Sequence, residues 1–253
     1  MIDQLVAVVG QAGAIAREKK ELHAQVKAAS DYVTDADKAV DSFLIQALPK
    51  LVPGRVFTEE SPIVPGDYAG NTWVVDPIDG TTNLMYHMNF SAVSVALIVD
   101  GHLRLGAVHN PFTGEMYWAQ AGSGAFLDGR AIRVSPVQHL EQALIGFEIG
   151  PGSKGQQEPV LRAVGAFHQA ANGVRALGST ALDLCYVACG RYSGCFWDYI
   201  HPWDYAAGMI ILQEAGGRVT QRDGREMDFQ GKSTMVASNG WIHDEMLRLM
   251  DRP

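Results

Sequence analysis

A layered α/β fold is predicted by three features of the sequence. Two helical patterns open the chain, short apolar runs bounded by turn residues follow, and from about residue 150 helical and strand-like text alternates. Alternation of that kind packs helices onto the faces of a sheet.

The first pattern, "MIDQLVAVVGQAGAIAREKKEL", carries Asp3 ahead of its apolar residues and its basic residues after them, the reverse of a secretory leader, and is read as an amphipathic helix. Residues 35–48 place Val40, Phe43, Leu44, Ala47 and Leu48 at helical spacing, and Pro49, Pro53 and Gly54 are expected to end that second helix. "RVFTEES" and "NTWVVD" read as strands, as do "FSAVSVALIV", "LRLGAVH" and "EMYWAQ", with Asp100-Gly101 and Asp128-Gly129 as hairpin-turn signals. Further on, "PVLRAVGAFHQAA", "STALDLCYVACG" and "DYAAGMIILQEAG" read as helices and "VRAL" and "YSGCFWD" as strands. "GPGSKGQQ" at 150–157 is the one flexible break, a surface loop or a boundary between subdomains; residues 1–253 are read as a single domain.

With 253 residues, 47% hydrophobic and 19% charged, the chain has the profile of a globular protein with a sizeable core. A net charge of -8, with no basic run beyond "REKK", argues against a nucleic-acid binder. No apolar run approaches the roughly 18 residues that span a bilayer, so no membrane partner is expected. Cys185, Cys189 and Cys195 are odd in number and form no CxxC pair; buried thiols in a reducing cytoplasm are the expectation.

Four acidic stretches lie where strand-like text meets a turn or helix start: "TDAD" at 34–37, "TEES" at 58–61, "DPIDGTT" at 76–82 and "HPWDYAAG" at 201–208. Taken singly, Asp204 reads equally as a helix N-cap, and Glu59 and Glu60 as solvated loop charges. Asp76 and Asp79 resist so plain a reading, because they crowd together around Pro77 just after the apolar "WVV". Carboxylates held together need a cation, and hard oxygen ligands, with the Ile78 carbonyl as a further one, suit Mg²⁺ better than zinc. The adjoining "GTTN" offers a glycine, two hydroxyls and backbone N–H groups at a helix start, a cradle for phosphate. Metal beside phosphate points to phosphoryl chemistry.

On "DYVTDAD", "TEES", "WVVDPIDGTTN", "NPFTGEMYWA" and "PWDYAAGMIILQEAGG", in that order, the chain resembles the inositol monophosphatase family of Mg²⁺-dependent, Li⁺-sensitive sugar and polyol phosphatases. The resemblance implies a five-layer αβαβα sandwich, a homodimer and two or three Mg²⁺ ions. It implies metal ligation by Glu59, Asp76, the Ile78 carbonyl, Asp79 and Asp204, with Glu59 and the pair of Thr81 and Asp37 orienting the attacking water as catalytic residues and Asp35 a weaker competitor for Asp37. Phosphate is then expected on Gly80, Thr81 and Thr82, and the alcohol near Asp79, Gly178, Ser179, Thr180 and Asp198. Gly178 and Ser179 also read as a turn with an N-cap serine.

The sequence departs from the family at one place. Many members carry a glutamate six residues before the tryptophan of "WD"; Trp197 has that spacing here, and Asp198 is one residue closer. His87, His109 and His201 are read as structural or rim residues, and Lys27 as a candidate to steady the acidic ligands. Inositol 1-phosphate or a related polyol phosphate is the leading substrate. Fructose 1,6-bisphosphate and histidinol phosphate are the enzymatic alternatives, and a non-catalytic regulatory protein retaining the fold is the alternative from another class.

Overall fold

The computed structural model describes residues 1–19, 23–28, 31–61, 68–149, 157–231 and 233–250. Helix α1 (Ile2–Glu18) leads to a hairpin, β1 (Ala24–Ala28) and β2 (Asp31–Thr34), and then to α2 (Asp35–Leu51). Pro49 does not end α2 as predicted but lies inside its last turn. There it forfeits only one backbone bond, and the Val52 N–H donates to the Leu48 carbonyl at 3.2 Å to close the helix.

β3 (Arg55–Thr58), β4 (Asn71–Asp79), the short helix α3 (Thr81–Met85), β5 (Ala92–Val99), β6 (His102–His109), β7 (Met116–Gln120), β8 (Ala125–Leu127) and β9 (Arg130–Ile132) come next. Their strands form one seven-stranded sheet in sequence order, β3 parallel to β4 and every other pair antiparallel. Asp100-Gly101 and Asp128-Gly129 turn with positive φ at both residues, as their hairpin signals predict.

β10 (Leu144–Ile149), α4 (Glu158–Ala170), β11 (Gly173–Arg175), α5 (Thr180–Ala188), β12 (Gly194–Ile200), α6 (Pro202–Glu214), β13 (Arg218–Thr220), β14 (Ser233–Ser238) and α7 (His243–Met250) complete the chain. The second sheet runs β11-β10-β12-β14-β13, with β10 parallel to both its neighbours. Residues 150–156 of the expected break lie outside the described residues.

Three apolar clusters set five layers. Leu5 and Val9 of α1 with Val40 and Leu44 of α2 cover Trp73, Val75, Val93 and Val95 on one face of the first sheet. Leu182, Leu184, Tyr205 and Ile211 of α5 and α6 fill the space between the sheets, against Val74 and Ala96 on one side and Trp197 and Met235 on the other. Ala163, Phe167, Met246 and Leu249 of α4 and α7 cover Ile145, Phe196 and Val236 on the far face. The order αβαβα is the one the resemblance implies. Because α6 is enclosed between two sheets, its residues from Tyr205 to Leu212 are all buried, which an amphipathic surface helix would not show.

Candidate active site

The crowding of Asp76 and Asp79 is explained by a fault in strand register. β4 does not stop at Val75 for a turn, as the sequence reading has it, but runs on through Pro77 to Asp79. Opposite β5, Asp76 pairs with Ser94 and Asp79 with Ala92, so three steps on one strand answer two on the other. In regular alternation residues three apart face opposite sides; one extra residue returns them to the same side. A bulge also accommodates a proline that cannot donate to the ladder. Val74 packs in the middle cluster and Ile78 in the α1/α2 cluster, so Asp76 and Asp79 both face the middle layer.

Four other segments meet them there. Glu59 follows β3 directly, and its N–H donates to the Val75 carbonyl at 3.1 Å, which sets Glu59 beside Asp76. Asp204 stands in the first turn of α6, its Oδ2 accepting the His201 N–H at 2.6 Å. At the start of α5 the Ser179 hydroxyl donates to Asp79 Oδ2 at 2.6 Å and the Ala181 N–H to the same oxygen at 2.7 Å. Ser179 is also the N-cap of α5, accepting from the Leu182 N–H at 3.3 Å, so its reading as a turn with an N-cap serine is met. Asp37 lies in the first turn of α2, Oδ2 accepting the Thr34 N–H at 2.9 Å and Oδ1 lying 3.0 Å from the Thr81 hydroxyl. That hydroxyl is also 3.0 Å from the Ile78 carbonyl.

The electrostatics are those of negative charges crowded together. Burial pushes the Asp76 carboxyl well up, and Glu59, Asp79, Asp204 and Asp37 push it further. Burial raises Asp204 strongly too, against the His201 N–H, with Asp79, Glu59 and Glu148 adding to the rise. Asp79 is raised to about 6 by burial, opposed by Ser179 and the N–H groups of Ala181 and Thr180. No basic side chain is among these dominant influences. Asp76 Oδ1 is buried with no hydrogen-bond partner among the described residues. An orphaned carboxylate oxygen among further carboxylates fits a hard divalent cation. Among the described residues no three His, Cys, Asp or Glu side chains are gathered tightly enough to hold a metal as they stand. Mutual repulsion of bare carboxylates works against such closure.

The turn after Asp79 is built on close backbone approach. Gly80 has φ 87°, and a Cβ there would lie 2.8 Å from the Gly178 carbonyl and 3.1 Å from that of Phe90. Only glycine fits. The Asn83 amide nitrogen lies 2.7 Å from both the Phe90 and Leu177 carbonyls and fastens "GTTN" to the segment before α5. Gly80, Thr81 and Thr82 thus form the first turn of α3 beside Asp79, next to Gly178, Ser179 and the buried Thr180.

Asp198 is not brought together with these residues. β12 also carries a bulge, since Trp197 pairs with Met235 and Ile200 with Ser233, and Tyr199 has φ 65°. Burial raises the Asp198 carboxyl and Arg222 lowers it; no site carboxylate acts on it. Two other acids, absent from the sequence reading, stand near Asp79 instead. Glu148 on β10 is raised to about 7 by burial and then by Asp79. Asp183 on α5 is raised well up by burial, then by Glu148 and Asp79.

Of the histidines, His87 is exposed with φ 55°, and His109 packs its ring over Gly13 of α1. The His201 ring stacks on Trp203 at 4.3 Å. Lys27 is part of β1, and the reading of its side chain falls outside the described residues. Cys185 and Cys195 are buried free thiols, and Cys189 is a partly buried one. Among the described residues no helix is long and apolar enough to cross a membrane.

The sequence pattern of the inositol monophosphatase family matches residues 1–251. The chain belongs to that family. It is 37% identical over 235 residues to an inositol-1-monophosphatase of Caulobacter vibrioides, covering 91% of each chain. It is 35% identical to a fructose-1,6-bisphosphatase/inositol-1-monophosphatase of Thermotoga maritima, covering 87% of this chain and 83% of that one. The crystal structure of the extragenic suppressor protein suhB from Bartonella henselae superposes with a TM-score of 0.91 at 33% identity, over 99% of this chain and 98% of that one. The fold and reaction class implied by the sequence resemblance are thereby met: this is a phosphoric monoester hydrolase of the inositol monophosphatase family.

Proposed function

We propose that the protein hydrolyses a small polyol phosphate, inositol 1-phosphate first among them, with Mg²⁺. The observation that carries this reading is the convergence of Asp76, Asp79, Asp204 and Glu59, with Asp76 Oδ1 buried and without a hydrogen-bond partner among the described residues. Glu59, Asp76, the Ile78 carbonyl, Asp79 and Asp204 would hold the cations, two or three in number. Bound there, Mg²⁺ supplies charge neutralisation and lowers the pKa of a coordinated water.

The remaining work falls to side chains and backbone. Asp37, fixed by Thr34, receives or shares the Thr81 hydroxyl hydrogen, so that the Thr81 oxygen presents its lone pairs to an attacking water and fixes its direction. Gly80, Thr81 and Thr82 offer N–H groups to the phosphate oxygens. Displacement by water in line with the leaving alcohol requires no phosphoenzyme. Asp79, with one oxygen tied to α5, keeps the other for cation or alcohol.

Fructose 1,6-bisphosphate is retained as a second substrate because the Thermotoga maritima relative carries that activity in its name; histidinol phosphate is tested beside it. The protein is read as one domain, since α5 and α6 pack on both sheets, and as a cytoplasmic homodimer inhibited by Li⁺. Sizing chromatography and a Li⁺ titration test the last two. The main test is kcat/KM with millimolar Mg²⁺ across a panel of sugar, polyol and amino-alcohol phosphates. The expected result is phosphate release, fastest from a polyol phosphate; release from none would make the protein a non-catalytic retainer of the fold.

A further inference from the structure

We propose that Glu148 determines specificity on the alcohol side of the site, accepting a hydrogen bond from a hydroxyl of the leaving polyol. This rests on the reading of the protein as a phosphate-monoester hydrolase and goes beyond it.

The face of Glu148 follows from alternation along β10. Ile145 and Phe147 pack with the α4/α7 cluster, whereas Leu144 packs with the middle cluster. Gly146 lies beneath the Tyr192 ring, where a Cβ would be 2.8 Å from a ring carbon. Glu148 therefore shares the middle face with Leu144 and Gly146. Its register partner across the parallel pair is Trp197, whose ring is in the same middle cluster. Trp197 stands six residues before the tryptophan of "WD", where many family members carry a glutamate, and the neighbouring strand supplies an acid at that level of the sheet.

The site is ordered along a line. Beyond its burial, Asp76 is raised by Glu59, Asp79, Asp204 and Asp37. Glu148 instead weighs on Asp204 and Asp183 and is itself affected by Asp79. The layers give the order: Asp37 is on α2 outside the first sheet, Asp79 on that sheet, Asp204 on α6 between the sheets and Glu148 on the second sheet, so Asp37 and Glu148 stand at opposite ends. In-line displacement puts the entering water and the leaving oxygen on opposite sides of phosphorus. With Thr81 and Asp37 at the water's end, Glu148 is at the end from which the alcohol departs.

The chemistry of that end matches a hydroxylated group. Among the described residues, both oxygens of the fully buried Asp183 are unpartnered, as are the hydroxyl of Tyr192 and Nε1 of Trp197, both buried residues. Glu148 itself is only partly buried. An acceptor carboxylate beside donor O–H and N–H groups suits a hydroxyl, which both donates and accepts, better than an ammonium, which only donates. A polyol phosphate is favoured over an amino-alcohol phosphate.

The test compares kcat/KM for inositol 1-phosphate with that for phenyl phosphate, which has no alcohol hydroxyl to recognise. Taking the ratio within one preparation cancels any loss of folded protein. In E148A the ratio should fall by about 10- to 100-fold, as expected for a lost hydrogen bond to a charged group. E148Q keeps a carbonyl acceptor and should recover part of it. An unchanged ratio in E148A overturns the assignment, as does an equal loss on both esters with a raised Mg²⁺ requirement, which would make Glu148 a cation ligand. E148Q no better than E148A would recast it as a charge acting at a distance and likewise overturn the contact. Failure of the parent reading looks different: the unsubstituted protein would cleave neither ester.

Discussion

Two helices of this protein begin with the same local device and end up with opposite chemistry. α2 opens with Thr34 and Asp37, and α6 with His201 and Asp204; in each an aspartate three residues past the cap accepts the cap residue's N–H. Asp37 goes on to take the Thr34 hydroxyl on the same oxygen and the Thr81 hydroxyl on the other. Burial raises the Asp204 carboxyl well above the ordinary range and Asp79, Glu59 and Glu148 add to it, whereas the rise that burial gives Asp37 is opposed by its Thr34 and Thr81 donors. One carboxylate is saturated with donors and can orient a neighbour; the other is left wanting positive charge. A helix-capping pattern in sequence thus says where an aspartate stands, and the residues brought opposite it decide what it does.

Breaking each device separately should give the largest contrast. D204N removes a charge from the cation site and is expected to lower turnover by about 10³-fold or more, since cation-borne stabilisation is worth several kcal/mol. D37N keeps the cation site and should lower kcat by about 10²-fold with little change in the Mg²⁺ needed for half-maximal rate, because only the orientation of water suffers. T81A should behave like D37N, and the double variant should be little worse than either single one. Equal Mg²⁺ dependence in D204N and D37N would erase the contrast; steady-state rates over a Mg²⁺ series decide it.

That contrast was only half legible in the sequence. The motif "DPIDGTT" announced its two aspartates, but the reason they converge is a bulge against β5, whose register the text of β4 alone does not contain. Glu148 was invisible because "LIGFEI" carries no motif; its place depends on β10 lying parallel to β12, about fifty residues away in the chain. Asp198 looked like the alcohol-side acid by spacing, yet on β12 it is its neighbour Trp197 that packs in the middle layer, and the charge that acts on Asp198 is that of Arg222. Helices were easier to read, except where α2 continued through Pro49 and where α7 followed the short strands β13 and β14.

Stability against pH sharpens the comparison at intermediate size. Asp79 sits at about 6 in the folded protein against an ordinary 3.8, so between those values the folded state holds the proton more tightly than the unfolded one. Metal-free stability should therefore fall as pH rises from about 4 to about 6, by an amount of order a few kcal/mol from this group. The cation favours the ionised carboxyl, so the rise in Tm on adding Mg²⁺ should grow over the same window. Thermal unfolding at several pH values, with and without Mg²⁺, checks both slopes; a flat metal-free profile would contradict them.

The smallest effect belongs to the device itself. T34A removes the hydroxyl that caps α2 and should cost about 1 kcal/mol of stability in chemical denaturation, with a further loss of kcat as Asp37 loosens. Stability lost with kcat unchanged would detach the cap from the water-orienting pair.

The cation site stands most directly on Asp76, whose Oδ1 is buried among carboxylates with no hydrogen-bond partner among the described residues. The measurement is thermal unfolding of the unsubstituted protein and of D76N, each with and without Mg²⁺. The expected result is that Mg²⁺ raises Tm in the unsubstituted protein and hardly moves it in D76N, whose metal-free Tm is equal or higher through relief of repulsion. A marked fall in the metal-free Tm of D76N, or an undiminished Mg²⁺ shift, would make Asp76 a structural residue and contradict the cation site.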